Sequence, residues 1–311
     1  MRINTYLRMA LKYIDIGANL TDSMYQGCYG GSTKHPADLD IVLERAWQNG
    51  LQKIIITSGC IKDVDESLEL AAKDERLYTT VGAHPTRCGE FLSDPAKYYN
   101  DLRSRIKANS EKVIAVGECG LDYDRLHFCE KETQLEYFEK QLTLAEEFQL
   151  PLFLHMRNAH EDFMKILERN RDKLEACGGG VVHSFTGTLE EAKSLLDFGG
   201  LYIGLNGCSL KTKENLEVVQ QLPNERIMLE TDCPWCGIRP THAGHQHLTT
   251  KFPTVKKKEK WTKDALIDGR SEPCQISQVL EVIASIKQQP KEQLADIYYQ
   301  NTLDLFFKRS K

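Results

Sequence analysis

A chain of 311 residues, 41% hydrophobic and 27% charged, has the composition of an ordinary folded domain protein, long enough for two modest domains or one α/β barrel. Its formal net charge of -5 excludes nucleic-acid binding through global positive charge, while leaving room for a local basic patch. No window approaches about 18 consecutive apolar residues, which excludes a membrane-spanning helix, and cysteines scattered singly at 28, 60, 88, 119, 129, 177, 208, 233, 236 and 274 exclude a dense disulfide scaffold and predict a reduced, intracellular protein.

The first twelve residues, MRINTYLRMALK, carry Arg2, Arg8 and Lys12 without an acid but lack the uninterrupted apolar core of a secretory signal. They read as a frayed terminus rather than an organelle-targeting leader. Strand-like runs then recur: YIDIGANL (13–20), KIIITSG (53–59), LYTTVGAHP (77–85), VIAVGECGLD (113–122), LPLFLHMR (150–157), GVVHSFTG (180–187), LYIGLNG (201–207) and RIMLETDCP (226–234). Between them apolar positions recur at helical spacing, as in Leu39, Val42, Leu43 and Ala46, or Leu135, Phe138, Leu142 and Ala145. Eight β-then-α units with continuously apolar strands predict one (β/α)8 TIM barrel over 1–311 rather than a doubly wound sheet, since polar residues recur at the carboxyl ends of at least six strands. Two long loops, 21–37 and 235–274, are expected over the active face. QISQVLEVIASIK and PKEQLADIYYQNTLDLFF read as two C-terminal helices.

Four of the runs end in metal-competent side chains: IAVGE at Glu118, LPLFLH at His155, GVVH at His183 and IMLETD at Asp232. A single histidine after an apolar run is more often a hydrogen-bonded structural residue than a ligand. Four coincidences are another matter, because an uncompensated buried charge costs several kcal/mol, and polar groups gathered at one end of the strands need a shared partner. A divalent cation supplies it. In the second long loop Lys256, Lys257, Lys258, Lys260 and Lys263 surround Trp261, which reads either as a solvated surface or as ammonium groups beside a base-stacking aromatic.

With these motifs in register, the chain resembles the TatD family of metal-dependent deoxyribonucleases, among the amidohydrolase-like barrels, and is most similar to the eukaryotic TatD nuclease-domain proteins. The resemblance rests on an ordered set: DIGANLTD, VGAHP with His84, VGECGLDY with Glu118, PLFLHMR with His155, VHSFTG with His183, GLNG, and LETDCPW with Asp232. It implies that Glu118 bridges two divalent cations, that His155 and His183 complete one of them, and that Asp232 binds the other and orients or deprotonates the attacking water. It also makes His84 a contact for the scissile phosphate, against the simpler reading of a turn histidine. One departure stands out: many members carry a His-x-His pair where this chain has Gly17, Ala18 and Asn19. The cation held by Asp232 is then expected to be weaker, with Asn19 as a weak carbonyl ligand and Asp15 contributing only if its side chain reaches the site. Mg²⁺ or Mn²⁺ is expected for activity, with Zn²⁺ in some preparations.

Arg157, two residues beyond His155 on the same side of the strand, could clamp a phosphate oxygen or pair with Glu161. Glu230 shares a face with Asp232 and is expected to orient ligands from behind. Asp122 and Tyr123 are weaker candidates for substrate contact. Cys233-Pro-Trp-Cys236 could be a redox pair or half a zinc site, and His242, His245 and His247 resemble a zinc set, but both read better as parts of a long loop. Three functions remain open: a deoxyribonuclease acting on single-stranded DNA or 3′ ends, an amide or lactone hydrolase using the same metals, and a non-catalytic scaffold. The lysine run suits a nuclear address as well as DNA contact, cytoplasmic residence is equally compatible, and a monomer suffices for such a site.

Overall fold

The computed structural model describes residues 11–308, so the first ten residues of the expected frayed start lie outside it. Eight parallel strands follow in chain order, each bonded to the next: β1 (Tyr13–Ala18), β2 (Leu51–Ile56), β3 (Leu77–Val81), β4 (Val113–Asp122), β5 (Leu152–Arg157), β6 (Gly180–Val182), β7 (Leu201–Leu205) and β8 (Ile227–Leu229). The cylinder closes where Ala18 bridges Cys233 just beyond β8; Asn19 N donates to Cys233 O at 2.7 Å and Asp232 N to Gly17 O at 2.8 Å. The expected barrel is the observed one. Several strands stop short of their apolar runs, β6 at Val182 and β8 at Leu229, although the polar residue that follows each makes one more ladder bond, His183 N to Leu154 O at 2.9 Å and Glu230 N to Leu205 O at 3.1 Å.

Helices cover the outside: α1 (Leu39–Gln48), α2 (Ile61–Ala71), α3 (Pro95–Ala108), α4 (Lys131–Phe148), α5 (His160–Arg169), α6 (Arg171–Cys177), α7 (Leu189–Phe198), α8 (Lys213–Gln221), and the terminal pair α9 (Ile276–Lys287) and α10 (Lys291–Phe306). Thr188 and Thr212 start α7 and α8 as capping boxes with Glu191 and Asn215. Alternate strand residues divide between two cores. Leu152, Leu154, Val182 and Leu229 point outward under the helices, whereas Ile14, Ile16, Phe153, Val181 and Met228 fill the barrel with Phe306 of α10. The period of two carries the inward set on to the site: Phe153 to His155 and Arg157, Val181 to His183, Met228 to Glu230 and Asp232.

β4 breaks this period by a bulge. Gly117 pairs with Phe153 and Cys119 with Leu154, so Glu118 is the extra residue and turns inward. The flanking glycines permit it: Gly117 lies at φ +147, where a Cβ would sit 2.2 Å from Phe153 O, and Gly120 at φ +144, where a Cβ would meet His155 O at 1.9 Å. Two buried glutamines of α4 clamp the neighbouring strand ends. Gln134 bonds both backbone groups of Asp122, and Gln141 bonds both backbone groups of Ala83, the residue before His84.

The two long loops fold against each other over the carboxyl ends of the strands. Residues 23–33 form a 3-10 turn and a two-residue hairpin, and the later loop contains a short parallel pair, Thr254–Val255 with Leu266–Ile267. Their joint is a buried ion network in which Arg270 makes a bidentate contact with Asp38 at 2.7 Å and donates to Glu272 at 2.8 Å, while Arg45 holds Glu272 from the other side at 2.9 Å. Tyr25 adds a bond from its hydroxyl to Ser271 O at 2.9 Å.

Candidate metal centre

Glu118, His155 and His183 meet at one atom. His155 Nδ1 and His183 Nε2 both lie 2.7 Å from Glu118 Oε1 and 3.3 Å from each other, and His84 Nε2 approaches the same oxygen at 3.4 Å. His84, Glu118 and His155 each offer a ligand atom within 4.8 Å of the others'. The far nitrogens are held from behind: His155 Nε2 faces Asp122 Oδ2 at 3.3 Å, and His183 Nδ1 faces Glu230 Oε2 at 3.6 Å. A buried carboxylate behind each imidazole puts the proton on the far nitrogen and leaves the near lone pair directed at the centre, the usual arrangement around a bound cation. Without a metal the near nitrogens carry protons that Glu118 accepts; once those protons leave, two lone pairs and a carboxylate face one point, a donor set that fits a divalent metal. His183 Nδ1 and Glu230 Oε2 are also buried without a hydrogen bond, as expected of groups held by charge rather than by mutual donation.

His84 differs in its tautomer. Its Nδ1 accepts from Thr86 N at 3.2 Å, which leaves the proton on Nε2 and makes that atom a donor toward the centre. A donor suits a phosphate oxygen better than a metal. Burial pushes the His84 pKa down to about 4, so the imidazole is neutral at physiological pH.

Elsewhere the field of the cluster decides ionisation. Burial alone would raise Glu118, but the charge of His183 and the bonds from His155 and His183 outweigh it and hold the carboxyl well below its ordinary value. Burial disfavours a proton on His183 and on His155, yet Glu118 and Glu230 raise the first, and Asp122 and Glu118 raise the second. Asp232 is pushed up to about 6 by burial, with Glu230 and Glu118 adding to the effect against His183.

Asp232 stands beside the cluster, at the turn after β8, with φ +52. Asn19 Nδ2 donates to its Oδ1 at 2.9 Å and Cys236 Sγ to its Oδ2 at 3.2 Å. Asn19 Oδ1 meanwhile accepts from Thr57 Oγ1 at 2.9 Å. The carbonyl expected as a weak ligand is therefore turned away, because the amide donates to one neighbour and accepts from the other; Asn19 orients Asp232. Asp15 does not reach the site either: its buried carboxylate takes Thr231 N at 2.9 Å and the Thr231 hydroxyl at 2.5 Å, tying β1 to the segment after β8. Glu230 stands behind His183, accepting from Ser184 N at 2.6 Å and Asn206 Nδ2 at 2.9 Å.

Other expectations are redrawn. Asp122 is buried against His155 and positions it rather than touching substrate, and the Tyr123 hydroxyl is spent on Asp162 at 2.9 Å. Arg157 faces the cavity with no ion pair among the described residues, and Glu161 bonds Lys165 instead. The lysine loop lies off to one side: Lys256, Lys257, Lys258, Lys260 and Trp261 do not line the cavity over the centre. Trp261 is fixed there because buried Asp38 needs donors; its Nε1 supplies one at 2.8 Å and its ring stacks on His35 at 5.8 Å. Lys258 Nζ rests over the Tyr29 ring at 3.9 Å. The aromatic at the mouth is instead Trp235, half exposed, three residues after Asp232. Its place next to a ligand-bearing strand end was the signal available in the sequence. His242, His245 and His247 form no metal-like group among the described residues.

The cavity above the centre has a volume of about 2020 Å³ and carries Arg157, Arg239 and Lys251 on its walls. Pockets for small organic ligands occupy roughly 300–1,000 Å³. This one is larger, with room for a polymer segment.

Comparison with known proteins agrees along the whole barrel. Residues 14–307 match the family model described as TatD related DNase. The chain is 45% identical over 305 residues to the deoxyribonuclease Tat-D of Schizosaccharomyces pombe, covering 96% of this chain and 97% of the relative. It is 38% identical over 225 residues to a 3'-5' ssDNA/RNA exonuclease TatD of Erwinia tasmaniensis, covering 71% and 79%. Among solved structures, a TatD-family hydrolase from Entamoeba histolytica superposes with a TM-score of 0.90 at 40% identity, over 97% of this chain and 100% of that one.

Proposed function

Since the chain belongs to the TatD-related DNase family, we propose that it is a divalent-metal-dependent deoxyribonuclease cleaving phosphodiester bonds of single-stranded DNA. The observation that carries this reading is the convergence of His155 and His183 on Glu118 Oε1 at the floor of a polymer-sized groove. Glu118, His155, His183 and Asp232 would hold the cations. When bound, such cations acidify water and neutralise charge developing on the phosphate oxygens, as Mg²⁺ or Mn²⁺ does in an oxygen-rich site. The protein's own groups do the rest. Asp232 Oδ2 takes the proton of the attacking water, His84 Nε2–H and the Arg157 guanidinium grip the scissile phosphate, and Asp122 and Glu230 fix the two ligating imidazoles. All of these side chains come from one chain, so a single copy is sufficient. No helix among the described residues is long and apolar enough to cross a membrane; a nuclear or cytoplasmic setting, with its supply of nucleic acid and reduced thiols, completes the reading.

The direct test is chelated protein assayed on single-stranded DNA, duplex DNA, RNA, lactones and amides as Mg²⁺, Mn²⁺ or Zn²⁺ is returned. Single-stranded DNA should be degraded fastest with Mg²⁺ or Mn²⁺; preferential turnover of a lactone or amide would overturn the assignment.

Metal affinity should fall in acid. The Asp232 carboxyl, with a pKa pushed up to about 6, is protonated below that value, and His155 and His183 must also lose protons before they can bind a cation. Calorimetric titration one pH unit below and one above this value is expected to give weaker binding on the acid side, with net proton release on binding. Equal affinities at both would separate Asp232 from the metal.

Trp235 is the residue placed to stack an unpaired base, at a position where the cavity wall also carries Arg239 and Lys251. Base–aromatic stacking contributes about 1–3 kcal/mol, so Trp235→Ala should raise KM for a single-stranded oligonucleotide about tenfold or more, with kcat little changed and Trp235→Phe restoring most of the loss. An unchanged KM would assign the ring to the surface alone.

A further inference from the structure

The motif Cys233-Pro-Trp-Cys236 suggests a pair of thiols, but folding separates them. Cys233 is fully buried at the closure of the barrel, while Cys236 turns toward the cavity and meets Cys208, 28 residues earlier in the chain. Their sulfurs lie 2.7 Å apart, both residues are partly exposed on the cavity wall, and both are free thiols. Nothing in the proposed nuclease chemistry uses them. From this geometry we infer that Cys208 and Cys236 form a reversible disulfide when the protein meets a peroxide, and that this bond switches the Asp232 half of the centre.

The two loops already hold the thiols in contact. A disulfide needs its sulfurs at about 2.05 Å with no large backbone movement, and here the chain around Gly207 packs onto the Cys236 carbonyl so closely that a Cβ at Gly207 would sit 1.9 Å from that oxygen. Cys208 N is fixed in turn by Asn206 Oδ1 at 2.8 Å. The sulfurs have less than about 1 Å left to close. One thiolate attacks a peroxide oxygen and the O–O bond breaks, giving a sulfenic acid and one water; the second sulfur attacks it, the S–S bond forms, and a second water leaves. Two thiols lose two electrons and two protons, and hydrogen peroxide is reduced to two waters.

The link to Asp232 is the hydrogen on Cys236. As a thiol, Cys236 donates to Asp232 Oδ2 at 3.2 Å; as half of a disulfide it has no proton to donate, and its sulfur is drawn toward Cys208. Asp232 then keeps only the Asn19 bond on its other oxygen. Loss of a group that orients a metal ligand typically lowers metal affinity or activity about 10–100-fold, and that is the range expected on oxidation.

The experiment is a peroxide titration of the full chain with two readouts. Peptide mapping under non-reducing conditions should recover Cys208 joined to Cys236, and activity on a single-stranded oligonucleotide with Mg²⁺ should fall about tenfold or more and return with dithiothreitol. Cys208→Ser should give no such linked peptide and keep its activity through the same treatment, whereas Cys28→Ser, at a partly exposed thiol that does not line the cavity, should behave like the parent protein. Failure to find the linked peptide, or equal inactivation of Cys208→Ser, overturns the switch. A linked peptide without loss of activity overturns its coupling to Asp232. The functional arm rests on the nuclease reading and the mapping arm does not, so protein that never cleaves DNA yet forms the bond would fault the former alone.

Discussion

Glu118→Gln is expected to remove nearly all cleavage of single-stranded DNA while leaving the barrel folded. The substitution keeps the shape of the side chain but deletes the charge on which His155 and His183 converge at 2.7 Å. Removing a residue that merely orients a ligand costs about 10–100-fold, and removing the shared ligand itself should exceed that range. Two consequences separate this from general damage. Calorimetry should show metal binding weakened in parallel with kcat/KM, and the two imidazoles, no longer facing an anion at the centre, should titrate at lower pH than in the parent. Glu118 in the metal-free protein has its carboxyl pKa depressed, so its share of stability is present above the unfolded value and lost as pH falls through the folded one. Glu118→Gln should therefore flatten the acid limb of a stability profile measured without metal. Retained cleavage by the purified variant would move the chemistry away from this cluster.

The largest effect on stability is expected from Arg270→Ala. Arg270 is inaccessible to solvent, as are the carboxylates of Asp38 and Glu272 that it joins. Glu272 would retain Arg45, and Asp38 would keep only the Trp261 indole N–H as its side-chain donor. Breaking one partner out of a buried ion pair typically costs about 3–5 kcal/mol, because the remaining charge stays in a poor solvent. Denaturant midpoints should shift to match, and the variant's KM for oligonucleotides should rise, since the same network sets the two loops that wall the groove. A midpoint within error of the parent's would mean that these charges are hydrated in solution.

The strands, and the meeting of Glu118, His155 and His183, could be read from the sequence because both follow from a local pattern. An apolar run ending in a histidine or carboxylate already says that the strand is buried and that its last residues need a partner, and Glu118, His155, His183 and Asp232 each carried that signal. What escaped were pairings between distant segments. Nothing near Asn19 announces that its amide would face Asp232, and Asp122 shows its role only once β4 and β5 bring it against His155. The place of the lysine run was hidden for a related reason: composition suggests affinity for a polyanion, but Trp261 is held by a bond to Asp38, far away in the chain. Cys236 likewise found its partner across the top of the barrel rather than three residues away.

The two glutamines of α4 give that helix a metric role. Seven residues span just under two turns and about 10.5 Å of rise, so Gln134 and Gln141 form a fixed caliper whose jaws hold the strand ends at Asp122 and Ala83. One residue inserted between them would swing one jaw by about 100° around the axis and release either Asp122 or the peptide before His84. The length of this segment is thereby set by the chemistry it spaces, while its solvent-facing positions are free to drift.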